Sequence, residues 1–380
     1  MRCPRARQQP HTPVPPDLVG ARRVLIVKLS ALGDVVHATP VAAALRDAFP
    51  HLEVDWAVEP PAAPLLARCS AVTEVRVAAR ARRTRRLLPT VMSDFTALAR
   101  ELRARRYDIA LDLQGLTKSA ILAWASGAKV RLGYDWLREL APLFVRRVRR
   151  RPESIHVVDQ LLDVARSLGA HAPAARFPIE PSDADLAQAC ELLREAGLEH
   201  GKPFLVLNPT DGGGGGGKGL PPATMAEAMD RVTGETGLSW VLIGGPGDRP
   251  RAEATMARSS APAFDLVGRT SIQQTAAVIK LAMLHLSGDT GTAHIAAALG
   301  TTPVSVHGRS NPDRVGPYGY RRLVVDARPH CCERCRRYQE SAPVNSPSAC
   351  RDGSAQCMRK VTAEEVASAV LRGLNETQRR

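Results

Sequence analysis

A polar turn, SGDTGT at positions 287–292, stands within an apolar region of the second half of the chain and could bind phosphate. The preceding run, 281–286, is short and apolar enough for a buried parallel strand, and the small residues that follow suit a close-packed helix. Thr290 is then the expected N-cap, and Gly291 would let a ligand approach the backbone. Unpaired N–H groups and the positive helix end attract phosphate, while Asp289 could accept hydrogen bonds from sugar hydroxyls. An ordinary capped helix explains the same residues, so this segment alone leaves both interpretations open.

A second turn of the same kind lies near the start of the chain, where the apolar run VLIVK precedes LSALGD at 29–34. Asp34 is expected in the first turn of the next helix, where the helix dipole stabilises a carboxylate without any further role. The functional interpretation makes Asp34 a general base that takes a proton from a substrate hydroxyl. His37 follows three positions later on the same helical face and is expected to line the same site.

A glycine run at 212–217 leads into Lys218 and offers a third candidate for phosphate binding. The window GxxxxGK resembles a P-loop, but Gly219 stands where a hydroxyl would bind Mg²⁺. The prolines at 221 and 222 also delay the helix that should start at the lysine. A nucleoside triphosphatase is therefore disfavoured. Ordering so many glycines costs backbone entropy, so we expect the loop to be mobile until a ligand binds.

These turns lie in two stretches where short apolar runs alternate with helical patterns. The strand candidates are 24–29, 53–58 and 109–113 in the first half, and 204–207, 239–243, 265–267, 281–286 and 303–306 in the second. The helical patterns include 40–48, 90–103 and 184–196. Such alternation predicts parallel sheets with helices on both faces. Two nucleotide-type strand-to-helix turns, one in each half, predict two Rossmann-like domains facing a cleft.

The expected boundaries follow from composition and from these patterns. We predict a disordered leader at 1–20, a first domain that binds an acceptor at 21–185, and a second domain that binds a nucleotide at 200–350. A cysteine-containing tail follows at 351–380. Its helix, expected at 362–371, is predicted to pack back on the first domain.

The chain has 52 basic and 38 acidic residues, and the excess lies in arginine clusters of the first half. Such density suits a polyanionic partner, namely nucleic acid, an anionic membrane face or a phosphorylated glycolipid. Only 4% of the residues are aromatic, so the sequence gives little support for stacking of nucleic-acid bases on aromatic side chains. No apolar run approaches the roughly 20 residues of a membrane span, and no signal-peptide pattern is present, so we expect a cytoplasmic location.

Five of the eight cysteines crowd positions 331–357. A set of four, Cys332, Cys335, Cys350 and Cys357, could supply thiolates to zinc or to an iron–sulfur cluster, but the spacing of the second pair is too wide for a usual zinc motif. The expected cytoplasmic location disfavours disulfides between them. We therefore expect reduced thiols without a metal, with the metal site as the alternative.

Four ordered segments together resemble glycosyltransferase family nine, the bacterial lipopolysaccharide heptosyltransferases. They are VLIVKLSALGDVVHATP, DLQGLTKS at 112–119, GYDW at 133–136 and SGDTGTAHIAAALG. The resemblance spans about residues 22–319, and DLQGLTKS and YDW favour the heptosyltransferase I branch. It implies the GT-B architecture and an inverting transfer of heptose from ADP-heptose to a 3-deoxy-manno-octulosonic acid (Kdo) residue of the inner core. The implied acceptor is a Kdo-lipid A glycolipid at the inner face of the cytoplasmic membrane.

The resemblance also implies roles for individual residues, with Asp34 as the base. Donor contacts are expected from Thr210, Lys218, Asp289, Thr290, Gly291, Thr292 and His294, with Asp248 a weak choice for the ribose because a plain turn also explains it. Acceptor contacts are expected from Lys28, Ser30, Gly33, His37, Arg80, Arg82, Arg83, Arg86 and Gln114. No metal or other cofactor is expected, and a monomer is favoured. A family member with another nucleotide sugar or acceptor is the first alternative, and a basic nucleic-acid-binding protein is the second.

Overall fold

The computed structural model describes residues 20–78, 88–210, 219–308, 310–333, 335 and 356–377. Residues 1–19 of the predicted leader and the glycine run therefore lie outside the described residues, as do Lys218, Cys350 and Arg80, Arg82, Arg83 and Arg86.

Two parallel six-stranded sheets form the framework of the described chain. The first sheet contains β1 (Arg23–Val27), β2 (Glu53–Val58), β3 (Glu74–Val77), β4 (Ile109–Asp112), β5 (Val130–Gly133) and β6 (Arg146–Arg147). The second contains β7 (Phe204–Asn208), β8 (Ser239–Leu242), β9 (Ala263–Asp265), β10 (Leu284–Gly288), β11 (Thr302–His307) and β12 (Val324–Asp326). Their orders are β3-β2-β1-β4-β5-β6 and β9-β8-β7-β10-β11-β12. Each sheet has the Rossmann order, with a crevice at the switch point outside the carboxyl ends of its central strands.

Helices connect the strands and cover both faces. In the first half they are α1 (Leu32–Ala48), α2 (Ala63–Leu66), α3 (Leu88–Ala104), α4 (Thr117–Ala125) and α5 (Val157–Ser167). In the second half they are α6 (Asp183–Glu195), α7 (Pro222–Thr236), α8 (Arg249–Met256), α9 (Ile272–Leu281), α10 (Gly291–Leu299), α11 (Pro312–Val315), α12 (Gln356–Lys360) and α13 (Ala363–Thr377). Across the part of the chain that the structure describes, every helix is too short or too polar to cross a membrane.

Helix α1 begins eight residues before the predicted start at Pro40, and the proline lies inside it. Proline lacks the N–H that would bond to the carbonyl of Val36. The hydroxyl of Thr39 donates to that carbonyl instead, at 2.9 Å. The Thr39 hydroxyl thus replaces the backbone hydrogen bond that Pro40 cannot make. Other boundaries are displaced as well. Leu281 ends α9 rather than beginning β10, the strand predicted at 265–267 is β9 at Ala263–Asp265, and the C-terminal helix runs on to Thr377.

The two domains pack through α1 of the first and α10 of the second, and one apolar core continues across this contact. Helix α6 comes from the predicted linker and packs on α9 of the second domain. The C-terminal helix corrects a prediction. Helix α13 packs on α7 and on the second sheet, because its apolar face, which includes Val366 and Val370, closes the core of that sheet. The prediction that it returns to the first domain is wrong.

Candidate active site

A cavity of about 540 Å³ lies between the domains, where the turns after β1 and β10 face each other. It is lined by Ala31, Leu32, Gly33, Asp34, His37, Trp136, Arg138, Asn208, Thr210, Asp289, Thr290, Gly291, Thr292, His294, Ser310, Asn311, Arg314 and Val315. Of the predicted site residues, the structure brings nine to this cavity: Gly33, Asp34, His37, Thr210, Asp289, Thr290, Gly291, Thr292 and His294. Both turns singled out in the sequence therefore meet at one site.

The turn after β1 holds Asp34 in the first turn of α1, as the sequence predicted. Its carboxylate is exposed to the cavity and accepts a hydrogen bond from the backbone N–H of Ala31, at 3.2 Å from Oδ2. The backbone of the turn is fixed by Gln114, whose Oε1 accepts from the N–H groups of Leu29 and Ser30, both at 3.1 Å. Gln114 and Ser30 thus shape the turn and lie outside the cavity lining.

Two buried charges lie beneath this turn. Burial lowers the pKa of the Lys28 ammonium, while Asp34 and Asp112 act in the opposite direction. Burial also raises the pKa of the Asp112 carboxyl to about 6. The Oδ1 atom of Asp112 accepts from the N–H groups of Gln114 and Gly115, each at 3.0 Å. Lys28 was predicted to contact an acceptor, but it is buried outside the cavity lining and contributes positive charge behind Asp34.

The turn after β10 carries the start of α10 into the cavity, with Thr290 at the N-cap position as predicted. The Thr290 side chain does not cap the helix; its hydroxyl bonds to those of Ser287 and Thr292 instead. Asn208 at the end of β7 donates from Nδ2 to Thr292 Oγ1 at 2.9 Å and accepts from the backbone N–H of Thr210 at 3.1 Å. Because the first-turn N–H groups of a helix have no intrahelical partner, this rigid helix end can bind an anion.

A third wall consists of Trp136, Arg138 and Arg314, whose roles the sequence analysis did not predict. The Arg314 guanidinium carbon lies 4.5 Å from the centre of the Trp136 ring, and that of Arg138 lies 4.7 Å from it. Trp136 and Arg138 belong to the first domain and Arg314 to α11 of the second, so the stacking joins the two sides of the cleft. The motif GYDW marked the tryptophan, whereas nothing in the sequence around Arg314 distinguishes it from the many other arginines.

Histidines from both domains pack together, and two of them, His37 and His294, line the cavity. The His37 ring lies 4.1 Å from that of His294 and 5.3 Å from that of His156, between ring centres. His156 is held by Gly316, whose carbonyl is 2.9 Å from Nε2, and its Nδ1 accepts from the N–H of Val158. Burial, reinforced by the neighbouring histidines, keeps the pKa of His37 well below its usual range, and burial lowers that of His156 to about 4. Both are therefore neutral at pH 7.

Gly33 lies where the two turns approach each other closely, and we expect Gly33→Ala to disturb the cavity. An added Cβ would lie 2.5 Å from His294 Cδ2, and His294 is itself packed against His37. The expected results are a free energy of unfolding lower by about 1–3 kcal/mol and slower catalysis. Denaturant unfolding and steady-state rates would measure them.

Gly234→Ala is the matched control, because nothing lies within 4 Å of its added Cβ in the last turn of α7. It should raise the stability by about 0.5–1 kcal/mol. A Gly33→Ala protein as stable and as active as the wild type would show that the contact between Gly33 and His294 tolerates a methyl group.

Asp248 and the cysteines among the described residues are not part of the cavity lining. The Asp248 carboxylate accepts from the N–H of Gly245 at 2.8 Å and so stabilises its own turn, which was the alternative interpretation of this segment. Within the described residues, no three His, Cys, Asp or Glu side chains are grouped so that they could hold a metal. The four-thiolate set includes Cys350, which lies outside the described residues.

Two Rossmann-like domains with opposed binding turns at one cleft define a protein of the GT-B class of glycosyltransferases. The sequence model of glycosyltransferase family 9 (heptosyltransferase) matches residues 95–344. Lipopolysaccharide heptosyltransferase 1 of Salmonella typhimurium is 33% identical over 320 residues, which cover 82% of this chain and 94% of that protein. The enzyme of the same name from Escherichia coli K12 is 31% identical over 311 residues, 80% of this chain and 93% of that protein.

The solved structure of E. coli heptosyltransferase WaaC with ADP superposes with a TM-score of 0.69 at 27% identity, covering 92% of this chain and 99% of that one. A second structure of WaaC holds ADP-2-deoxy-2-fluoro heptose and has a TM-score of 0.66. The chain belongs to glycosyltransferase family 9 and is a glycosyltransferase.

Proposed function

We propose that the protein transfers heptose from ADP-heptose to a Kdo residue of the lipopolysaccharide inner core, with inversion at the anomeric carbon. The observation that carries this proposal is the opposition of two turns across one cavity. One brings an exposed carboxylate, Asp34, and the other brings the start of α10. A base and an anion-binding helix end on opposite sides suit a displacement in which the leaving group is a diphosphate.

In the proposed reaction the acceptor hydroxyl attacks the anomeric carbon of the donor and loses its proton to a carboxylate oxygen of Asp34. The bond between that carbon and the diphosphate oxygen breaks, and ADP leaves with the electron pair. The N–H groups at the start of α10 and the side chain of Lys218 would stabilise the charge that develops on the diphosphate. Asp289, one residue before the N-cap, would orient hydroxyls of the heptose.

The wall formed by Trp136, Arg138 and Arg314 would face the acceptor. Arginine pairs well with carboxylate and phosphate, and a Kdo residue carries a carboxylate. Two guanidinium groups beside the base would hold an acidic sugar next to Asp34. The arginines at 80, 82, 83 and 86 would contribute to binding the charged acceptor. The basic clusters of the first domain would also draw the enzyme to an anionic membrane face on the cytoplasmic side.

The direct test is a transfer assay with purified protein, ADP-heptose and Kdo-terminated lipid A. We expect release of ADP together with a glycolipid mass gain of one heptose. Parallel reactions with ADP-glucose as donor, and with lipid A lacking Kdo as acceptor, should be slower by at least 100-fold. If ADP binds but no heptose is transferred, the heptose assignment is wrong and other sugars become the candidates.

Among the alternatives, another donor or acceptor is tested by the same assay. A nucleic-acid-binding role would instead give salt-dependent binding to random DNA that is unaffected by Asp34→Ala.

A further inference from the structure

Outside the cavity, the first domain presents an apolar patch formed by Trp124, Leu140, Leu143 and Phe144. The exposed fractions of Trp124, Leu140 and Leu143 are 54%, 58% and 75%. They are three of the six large hydrophobic side chains that are exposed in the part of the chain that the structure describes. Phe144 is half-buried beside them, with its ring centre 6.2 Å from that of Trp124.

The patch is held in a fixed shape by local hydrogen bonds. The N–H of Leu143 donates to the carbonyl of Leu140 at 3.0 Å, across the short 3₁₀ turn Ala141–Leu143. Side chains three apart in such a turn project in the same direction, so both leucines face outward together. The N–H of Leu140 donates to Thr117 Oγ1 at 3.1 Å, which ties the segment to the first turn of α4. Trp124 lies near the other end of the same helix.

Two exposed arginines lie beside the patch. Arg146 and Arg147 form the edge strand β6, two residues beyond Phe144, and both are exposed. Among the described residues, no carboxylate lies within ion-pair distance of either arginine. Glu139, which lies seven residues before Arg146, already accepts a hydrogen bond from the N–H of Thr117 at 3.1 Å. Exposed apolar side chains with a tryptophan, next to unpaired arginines, match the chemistry of an anionic bilayer surface.

The patch also adjoins the cavity. Arg138 lines the cavity wall and stands two residues before Leu140. We propose that the apolar patch, with Arg146 and Arg147, docks the enzyme on an anionic phospholipid membrane and so brings the cavity to a lipid-anchored acceptor. The location of the acceptor rests on the proposed function. The docking surface itself rests on the exposure, geometry and charge of the patch.

Co-sedimentation with vesicles tests the docking directly. The full chain should sediment with vesicles of 30% phosphatidylglycerol and 70% phosphatidylethanolamine, and not with pure phosphatidylcholine vesicles. The double variant L140S/L143S should bind at least fivefold more weakly to the anionic vesicles. The double variant R146S/R147S should weaken binding and flatten its dependence on salt concentration. Failure of the wild-type protein to bind the anionic vesicles would overturn the proposal.

Leu281→Ser provides the matched control, because Leu281 is an exposed leucine of the second domain, at 39% exposure. It should bind vesicles as the wild type does. Unchanged vesicle binding by L140S/L143S would also overturn the proposal. Sedimentation velocity supplies the remaining comparison. A wild-type dimer that L140S/L143S converts to a monomer, with vesicle binding unchanged, would show that a second copy of the chain covers the patch.

Activity measurements separate this proposal from the proposed function. L140S/L143S should lower kcat/KM at least fivefold on acceptor embedded in vesicles and leave kcat/KM unchanged on a deacylated, water-soluble acceptor. Loss of activity on both acceptors would assign the patch to catalysis rather than docking and overturn the proposal. If the wild type transfers no heptose to either acceptor, the proposed function fails, while patch-dependent vesicle binding would still support the docking surface.

Discussion

Asp34→Asn should lower kcat by about 10³-fold while the affinity for ADP stays within threefold of the wild-type value. The asparagine amide keeps the size of the carboxylate and can still accept the hydrogen bond from Ala31, but it cannot take up the acceptor proton. Because Asp34 is exposed to the cavity and pairs with no cation at contact distance in the described residues, its removal should cost little stability. Single-turnover ADP release and calorimetric ADP binding would measure the two quantities.

Asp47→Asn is the matched control for this variant. Asp47 lies in the last turn of the same helix, and its ion pair with Arg176 is exposed on both sides. Exposed pairs contribute about 0–1 kcal/mol, so this variant should keep the wild-type kcat and nearly the wild-type stability. An Asp34→Asn enzyme that retains more than a tenth of the wild-type kcat would remove Asp34 from the role of base.

The second large effect is expected on stability at mildly acidic pH. Burial keeps the pKa of His37 far below 6.5 and lowers the pKa values of His156 and His285 to about 4 and about 3. In the unfolded chain all three take up protons as the pH falls through 6.5, whereas the folded protein does not. The stability that they contribute is therefore complete above pH 6.5 and is lost as the pH falls, by about 1.4 kcal/mol per pH unit for each histidine.

Protonation of Asp112 changes the stability in the opposite direction. Its pKa is about 6 in the folded protein and 3.8 in the reference state, so the folded protein takes up this proton first as the pH falls. As the pH falls, the three histidines lower the free energy of unfolding by more than Asp112 raises it. We therefore expect the free energy of unfolding to fall by about 3 kcal/mol between pH 6 and pH 5. Denaturant titrations at the two pH values would measure this difference.

One of these histidines can be tested alone. His285 is fully buried in β10, and His285→Leu should reduce the difference between pH 6 and pH 5 by about 1 kcal/mol. His200, an exposed histidine between α6 and β7, serves as the control, and His200→Gln should leave the difference unchanged. An unfolding free energy that is equal at the two pH values would mean that the buried histidines are protonated in the folded protein.

The central strands were predictable because they are buried on both faces. β1 and β7 read as apolar runs, and β2 and β10 are buried as well although each also carries polar residues. The edge strands β3 and β6 were not predicted. β3 is EVRV with exposed ends, and β6 is the pair Arg146–Arg147. Such segments carry no apolar pattern, and only pairing with an existing strand makes them part of a sheet. The C-terminal helix was placed on the wrong domain because an apolar helix face does not specify which of two similar sheets it will cover.

Some features of the candidate site could likewise be predicted from the sequence, and others could not. The two turns combine local signals, a strand end, a small-residue turn and a helix start, so Asp34 and Thr290 could be located from sequence. Contacts between residues that are far apart in the sequence could not be predicted. Arg314 and Trp136 are 178 positions apart in the sequence, and no local feature predicts that they stack. Gln114 was predicted to contact an acceptor because it lies in a recognised motif, but its carbonyl oxygen holds the backbone of the neighbouring turn.

The stacking of Arg314 on Trp136 has a consequence for the lifetime of an activated sugar in the cleft. Because the two residues belong to different domains, separation of the domains divides this wall and withdraws Asp34 from the helix end that would hold the diphosphate. Water could then reach the donor, but without a base positioned to activate it. Closure of the two domains would bring the base to the donor and exclude bulk solvent in a single movement. An enzyme built in this way would lose little of its donor to wasteful hydrolysis while it waits for an acceptor.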